Sequence, residues 1–325
     1  MRLRDTPEDF VVEELPLYEP SGEGEHTYVR VEKRNRTTEQ VARALARLAD
    51  VPSRDVGYAG RKDRVAVARQ WLSVPGLGVE RAMAIEDDGF RVLEARQHGH
   101  KLRTGALRGN RFEIVVRGLS ASEVAGAAAR LSALARDGMP NRFGPQRFGR
   151  DRENAARGRE ILTGGKRGDK RAARFAISAL QSAVFNGWLD ERALPLSELE
   201  AGEVAWIHAS GACFVVQDLA REAPRVAAFE ISPAGPLPGT RLLAASGAPG
   251  ERERALFAKH GLPDPIRAPR GVRVHGARRP ARVRPQDASC TGVAADAVRL
   301  AFALPPGSYA TVLVDTLFTD GAAGA

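Results

Sequence analysis

The sequence of 325 residues has very few cysteines, since only Cys213 and Cys290 occur, far apart and without partners at metal-ligand spacing. This scarcity excludes a disulfide framework and a cysteine-based zinc site, and it fits a reducing compartment. The N-terminus, M-R-L-R-D-T-P-E-D-F, lacks the apolar core of a signal peptide. No run approaches the ~20 apolar residues that a membrane helix needs. We therefore expect a cytoplasmic protein without a membrane segment.

Acidic residues are fewer than basic ones: the sequence contains 40 aspartates and glutamates and 49 lysines and arginines. The formal net charge of +9 and the isoelectric point near 10.1 indicate a polyanionic partner, of which nucleic acid is the commonest. Only 6 of these cations are lysines. Arginine suits bidentate phosphate contacts and stacking on bases, but a GC-rich genome also enriches arginine. The sign of the charge is therefore a stronger indication than the choice of arginine.

Hydrophobic patterning predicts both strands and helices, in a chain that is long enough for two domains. A strand begins at Phe10, and His26–Val31 alternates as a half-buried strand does. Thr37 and Gln40 form a capping box, which predicts a helix that begins there. The first part of the chain therefore alternates between strands and helices.

The character of the chain changes in its middle. From about Ala201 short strands alternate with Pro- and Gly-rich connections, whereas Val298–Leu304 has the alternation of a strand that fits with the first half. This pattern predicts a discontinuous domain that an insert interrupts. We assign residues 1–138 and 284–325 to the discontinuous domain and residues 139–283 to the insert.

The stretch Gly57–Trp71 reads G-Y-A-G-R-K-D-R-V-A-V-A-R-Q-W and carries one carboxylate among cations. Asp63 lies between Lys62 and Arg64, after a loop that two glycines make pliable. Cations near an aspartate hold it in the ionised form, so Asp63 is a candidate reactive carboxylate. The alternative is an ordinary solvated turn, which is the commoner meaning of such a charge run taken alone.

A second basic stretch leads into a strand. It reads H-G-H-K-L-R-T-G-A-L-R-G-N-R-F and ends at Phe112, with Asn110 two residues earlier on the same strand face. Phe112 is either a core residue or a ring on which a base stacks. His98 and His100 have no evident third ligand, so we expect polar loop residues and no metal site.

A third stretch, N-R-F-G-P-Q-R-F-G, interleaves aromatic rings with arginines. It contains Asn141, Phe143 and Arg147 among turn-forming residues. Aromatic and arginine side chains that alternate in a loop suit single-stranded RNA. A tightly packed domain entrance is the alternative.

Taken together, these stretches resemble the tRNA pseudouridine synthase D (TruD) family. The resemblance also includes P-E-D-F-V-V-E-E near the N-terminus, S-A-L-Q-S-A-V-F-N and L-P-P-G-S-Y-A-T, in the family's order and over nearly the whole chain. The pattern G-x-K-D-x-x-A-x-x-x-Q-W around Asp63 is its most diagnostic piece. Each motif alone is weak, but the combination is specific.

The resemblance implies a fold and an activity. The expected fold is α+β: a catalytic domain with a mixed, largely antiparallel sheet flanked by helices, interrupted by an inserted α/β TRUD domain, with an RNA cleft between them. The implied reaction is the isomerisation of uridine-13 in the D-arm of tRNA to pseudouridine, without cofactor or metal. The implied partner is tRNA, and no obligate protein partner is expected.

The resemblance also implies roles for individual residues. Asp63 matches the catalytic aspartate, Phe112 the ring that stacks on the target base, and Asn110 the amide that holds the aspartate. Arg4 stands where the family usually has a lysine beside the aspartate. Further residues are expected to contact the RNA substrate: Arg61, Lys62, Gln70, Asn141, Phe143 and Arg147.

Other functions are weighed on the same residues. A non-catalytic RNA-binding or RNA-chaperone protein would keep the basic surface but would have no need of Asp63. A nucleotide-cofactor enzyme would show G-x-G-x-x-G after a strand, which the sequence lacks. A glycosidase would need two facing carboxylates, and in this sequence only Asp63 has a credible setting for such a role. Whether Asp63 acts as a nucleophile or as a base at the ribose stays open.

Overall fold

The computed structural model describes residues 1–149, 153–166 and 168–318. The chain divides into two compact units. Unit 1 contains Met1–Arg136 and Pro285–Gly307, and unit 2 contains Asp137–Arg284 and the segment that begins at Ser308. The predicted domain boundaries stay a prediction, and the units differ from them mainly at that last segment. Residues 319–325, which belong to the predicted catalytic domain, lie outside the described residues.

Unit 1 is built on a ten-stranded mixed sheet. Its strands are β1 (Arg2–Leu3), β2 (Phe10–Pro16), β3 (His26–Arg34), β4 (Gly57–Tyr58), β5 (Val67–Pro75), β6 (Glu86–Asp87), β7 (Phe90–His98) and β8 (Leu107–Arg117), with two further strands from the end of the chain. The intervening helices are α1 (Thr38–Leu48), α2 (Val79–Met83) and α3 (Ala121–Asp137).

Unit 2 combines a four-stranded antiparallel sheet and a separate two-stranded sheet with helices. Its strands are β9 (Met139–Pro140), β10 (Val204–Ile207), β11 (Cys213–Val215), β12 (Ile231–Leu237), β13 (Ala277–Pro280) and β14 (Arg282–Val283). Its helices are α4 (Asn154–Leu162), α5 (Lys170–Glu191), α6 (Leu219–Ala227), α7 (Gly247–Lys259) and, near the end of the chain, α8 (Ala310–Phe318). The last strands of the chain, β15 (Gln286–Ala294) and β16 (Ala297–Leu304), return to the sheet of unit 1.

The order of strands in unit 1 is β15-β16-β8-β2-β5-β3-β7-β6, with β1 beside β8 and β4 beside β5. Only the β2–β5 pair is parallel among the described pairs. This sheet, with helices accompanying it, confirms the predicted mixed, largely antiparallel α+β fold. It also brings β2, β5 and β8, which come from distant parts of the chain, into neighbouring positions.

The predicted start of α1 is confirmed. Thr37 Oγ1 accepts from the Gln40 backbone N–H at 3.2 Å, and Gln40 Oε1 accepts from the Thr37 N–H at 2.8 Å, which satisfies two donors at the helix end. Behind this box, Val41 and Leu45 are buried against Leu72 of the sheet. Among the described helices, none has the length and apolar character to cross a membrane.

Candidate active site

Asp63 lies in the connection of residues 59–66, between β4 and β5. The approach to this connection is tight, because a Cβ atom on Gly57 would lie 2.5 Å from Ser73 Oγ. Glycine at position 57 therefore lets the chain pass close to β5. The Asp63 side chain is 36% exposed, so solvent or a substrate can reach its carboxylate.

Arg4, which is 59 residues away in the sequence, contacts the Asp63 carboxylate. Its Nη2 donates to Asp63 Oδ2 at 2.5 Å, and its side chain is 21% exposed. The backbone of Arg4 has φ of 63°, a left-handed conformation that is uncommon for residues other than glycine. The guanidinium also lies over the Phe10 ring, 4.0 Å from its centroid. This geometry holds the positive charge beside the carboxylate, as the sequence led us to expect for Arg4.

Lys62 has a different environment from its neighbour. Its Nζ donates to Glu14 Oε2 at 2.6 Å, and the side chains of Lys62 and Glu14 are 5% and 1% exposed. The Lys62 backbone N–H donates to Thr38 Oγ1 at 2.9 Å. Through these two contacts, Lys62 anchors the Asp63 connection to β2 and to α1. The expected direct contact of Lys62 with RNA would require this buried pair to separate.

Gln70 and Arg61 also support the connection. Gln70 is buried; it accepts from Thr38 Oγ1 at 2.8 Å and donates to the Gly60 carbonyl at 3.3 Å. In this structure Gln70 therefore holds the protein backbone and is not exposed for RNA. Arg61 is exposed and pairs with Glu39, with Nε to Oε1 at 2.5 Å. Of the two predicted cations that directly precede Asp63, Arg61 is exposed and Lys62 is buried.

Asn110 and Phe112 lie on β8 beside β2. The antiparallel register pairs Asn110 with Glu14 and Phe112 with Val12, and directly paired residues point to the same face of a sheet. Glu14 is the partner of Lys62, so the Asp63 connection and these two residues share one face. The structure therefore brings together within unit 1 the predicted residues of the first two stretches and Arg4 from the N-terminal segment.

The Phe112 ring is mostly buried, with 7% of the residue exposed. It packs at 6.1 Å, edge to face, against Phe10 and at 5.5 Å against Phe302, centroid to centroid. Phe112 is therefore a core residue of this chain, and its role as a stacking ring stays a prediction. Asn110 Oδ1 is buried and has no hydrogen-bond partner among the residues that the structure describes, and the expected contact of Asn110 with Asp63 also stays a prediction.

His98 and His100 contact each other at the end of β7. Their Nε2 atoms are 3.2 Å apart, and the His98 ring stacks on Tyr18 at 5.3 Å between centroids. Burial lowers the pKa of His98, and the nearby His100 and His26 lower it further. Across the described ranges, no group of three or more histidine, cysteine, aspartate and glutamate side chains is arranged to hold a metal ion.

In unit 2, Asn141 and Phe143 are fastened by Arg279. The Arg279 guanidinium donates to Asn141 Oδ1 at 2.6 Å and to the Asn141 carbonyl at 2.9 Å, and it lies 4.1 Å from the centroid of the Phe143 ring. Burial, the largest influence, lowers the pKa of Arg279 to about 10. Ser308 Oγ also donates to Asn141 Oδ1 at 3.1 Å. Asn141 and Phe143 are therefore tightly packed in this structure, which agrees with the alternative given above for this stretch.

Arg147 is held on the surface of α5. Its Nε donates to Ser182 Oγ at 3.1 Å, and its Nη2 bonds to Ser178 Oγ. Its guanidinium lies between the Phe143 and Phe175 rings, at 5.7 and 5.6 Å from their centroids. RNA contacts by Asn141, Phe143 and Arg147 stay predictions.

Several supporting residues have no signal in the sequence that reveals their role. Glu14 is one of two adjacent acids in a predicted strand, Thr38 follows the capping residue, and Lys33 and Arg279 lie among other basic residues. Each acquires its role from a contact 24 or more residues away. Strand alternation places Glu14 on the face of Phe10, but it does not identify the buried partner.

The comparisons with known proteins point to one family. The family described as tRNA pseudouridine synthase D (TruD) matches residues 1–169 and 166–316 of the chain. The tRNA pseudouridine synthase D of Anaeromyxobacter sp. (strain Fw109-5) is 45% identical over 329 residues, which cover 98% of this chain and 93% of that protein. The tRNA pseudouridine synthase D of Thermus thermophilus is 43% identical over 317 residues, with coverages of 96% and 87%.

A solved structure from Methanosarcina mazei, described as a candidate tRNA pseudouridine synthase D (TruD), has a similar fold. The two chains superpose with a TM-score of 0.77 at 22% identity, and the match covers 98% of this chain and 93% of the other. The fold expected from the sequence is therefore confirmed over nearly the full length.

Proposed function

The chain belongs to the tRNA pseudouridine synthase D (TruD) family, and from that premise we propose that it isomerises uridine-13 in the D-arm of tRNA to pseudouridine with Asp63 as the catalytic carboxylate. The observation that carries the proposal is the accessible Asp63 carboxylate, paired at 2.5 Å with Arg4. The carboxylate belongs to the connection that is anchored on the face of Asn110 and Phe112.

The reaction needs few groups. The N1–C1′ bond of uridine breaks, the detached uracil turns, and C5 bonds to C1′; the C5 proton is lost and N1 gains one, so the product is an isomer. An ionised carboxylate serves this sequence either by attack at C1′ or by removal of a ribose proton. The guanidinium of Arg4 donates to Asp63 Oδ2 and so helps to fix the position of the carboxylate.

The target uridine lies in folded RNA and has to leave its stack. Such flipping costs a few kcal/mol, and stacking on an aromatic ring returns roughly 1–3 kcal/mol. We assign this stacking to Phe112, of which 7% is exposed. The excess of arginine adds backbone affinity that does not depend on sequence and that weakens as salt rises.

Pseudouridine mapping tests the reaction and its position. Unmodified tRNA transcripts with uridine at position 13 are incubated with the protein and mapped with carbodiimide, beside matched transcripts with cytidine-13. We expect a new pseudouridine at position 13 of the first set only. Pseudouridine at another position would overturn the assignment of uridine-13, and salt-sensitive binding without any pseudouridine would favour the non-catalytic RNA-binding protein.

Replacing Arg4 separates its charge from its shape. We expect Arg4→Met to lower kcat by about 10–100-fold, because the Asp63 carboxylate loses its cation and its position. Arg4→Lys should keep most of the activity, since it keeps the charge, although it loses the planar contact with Phe10. Steady-state kinetics with one tRNA transcript compare the three proteins. Equal losses in both variants would show that charge beside Asp63 is not what Arg4 supplies.

The proposed stacking can be distinguished from core packing. We expect Phe112→Leu to lower turnover by about 5–100-fold, because an apolar side chain of similar size replaces the ring but has no stacking face. Phe302→Leu is the matched control, since Phe302 is the directly paired, buried ring on β16. Turnover is measured at a temperature at which all three proteins are folded. Equal effects of the two substitutions would assign Phe112 to packing alone.

A further inference from the structure

We propose that Lys33 is a positioning residue of the reaction, whose buried ammonium holds the backbone of Asp63 and places a positive charge close to its carboxylate. The inference rests on the proposed catalytic role of Asp63. Lys33 Nζ donates to the Asp63 carbonyl at 2.6 Å and to the Arg36 carbonyl at 2.7 Å. No part of Lys33 is exposed, so it acts through the protein and not by contact with RNA.

A buried lysine is unusual, because removing an ammonium from water is costly unless hydrogen bonds and nearby charges compensate. Lys33 lies near the end of β3, an interior strand of the sheet, where it pairs with Ala68 of β5 and Phe90 of β7. The ammonium therefore reaches from a rigid strand to an irregular connection. The ammonium donates hydrogen bonds to two backbone carbonyls, one of which belongs to Asp63. These bonds indicate that the buried charge has a specific structural role.

The bond from Lys33 completes a set of anchors on three successive residues. Lys62 is held by Glu14 and Thr38, and Arg64 Nε donates to the Asn35 carbonyl at 3.2 Å. Between them, Asp63 is held at its carbonyl by Lys33 and at its carboxylate by Arg4. Holding both ends of one residue limits the orientations of the carboxylate, which is what a group in a reaction needs.

The electrostatic surroundings of Lys33 make the role testable by pH. Burial, the largest influence, lowers the pKa of the Lys33 ammonium to about 8. Asp63 and Glu39 raise it and Lys62 lowers it, and the paired residues on β5 and β7 carry no charge. Because the folded-state pKa lies below the ordinary value of 10.5, the charge beside Asp63 is present below pH 8 and is lost as pH rises through it.

The test compares Lys33→Met with wild type in steady-state kinetics on a uridine-13 transcript. We expect kcat to fall by about 10–100-fold, because the carboxylate is no longer held in place, while KM and tRNA affinity stay near the wild-type values. Arg81→Met is the matched control, since Arg81 donates to the carbonyl of Leu48 and not to Asp63. Wild-type kcat should fall as pH rises through about 8, and this fall should be absent in Lys33→Met.

The outcomes separate this inference from the proposed function. Unchanged kcat in Lys33→Met, or a rise in KM alone, overturns the role of Lys33 if wild type makes pseudouridine and Asp63→Asn does not. If wild type makes none, the proposed function fails instead. If Lys33→Met does not fold, the wild-type pH profile decides, because a kcat that does not change across pH 8 overturns the role of the ammonium.

Discussion

Asp63→Asn is expected to lower the rate of uridine isomerisation by about 10²–10⁴-fold or more while tRNA affinity stays within a few fold. The amide has nearly the shape of the carboxylate, but it cannot ionise and therefore serves neither as nucleophile nor as base. The lost ion pair with Arg4 is partly exposed, and pairs of this kind contribute about 0–1 kcal/mol to stability. The variant should therefore remain folded.

The measurement is pseudouridine formation in a single turnover, with filter binding for tRNA affinity. Asp55→Asn is the matched control, because Asp55 lies eight residues earlier, in the turn Ser53–Asp55 before β4. Mass spectrometry of the variant excludes deamidation back to aspartate. Wild-type turnover by an intact Asp63→Asn protein would remove Asp63 from the reaction, whereas weak binding by that variant would assign the residue to RNA contact.

Glu14→Ala is expected to lower the free energy of unfolding of unit 1 by about 3–5 kcal/mol, because it leaves the Lys62 ammonium buried without its partner. The pair is formed by Nζ and Oε2 at 2.6 Å. Glu14 Oε1 also accepts from the Trp71 backbone N–H at 3.3 Å. Denaturant unfolding, followed through Trp71 in a variant that lacks the two tryptophans of unit 2, measures the change.

Two further variants show whether burial is the cause. Glu39→Ala removes the exposed pair with Arg61 from the same connection and should cost about 0–1 kcal/mol. Glu14→Leu combined with Lys62→Met replaces both charges by apolar groups and should cost less than Glu14→Ala alone. If Glu14→Ala costs no more than Glu39→Ala, the Glu14–Lys62 pair does not anchor the Asp63 connection.

Local patterns in the sequence are sufficient to predict part of the fold and part of the candidate site. The capping box at Thr37 and the strand that carries Phe112 depend on neighbours a few residues apart, and both are present as expected. The motif around Asp63 is similarly local, which is why one stretch is enough to single out the carboxylate. The fold class follows from the order of such elements together with the resemblance to one family.

The environment of each candidate residue depends on strand register and could not be predicted in the same way. Lys62 follows Arg61 directly, yet Lys62 is buried against Glu14 while Arg61 is exposed, because the connection lies against β2 and α1. Phe112 is mostly buried because β8 is flanked by β2 and β16, which bring Phe10 and Phe302 to its ring. Lys33 meets Asp63 across 30 residues. Contacts at such separations form only when the sheet assembles, since its pairing decides which side chains meet.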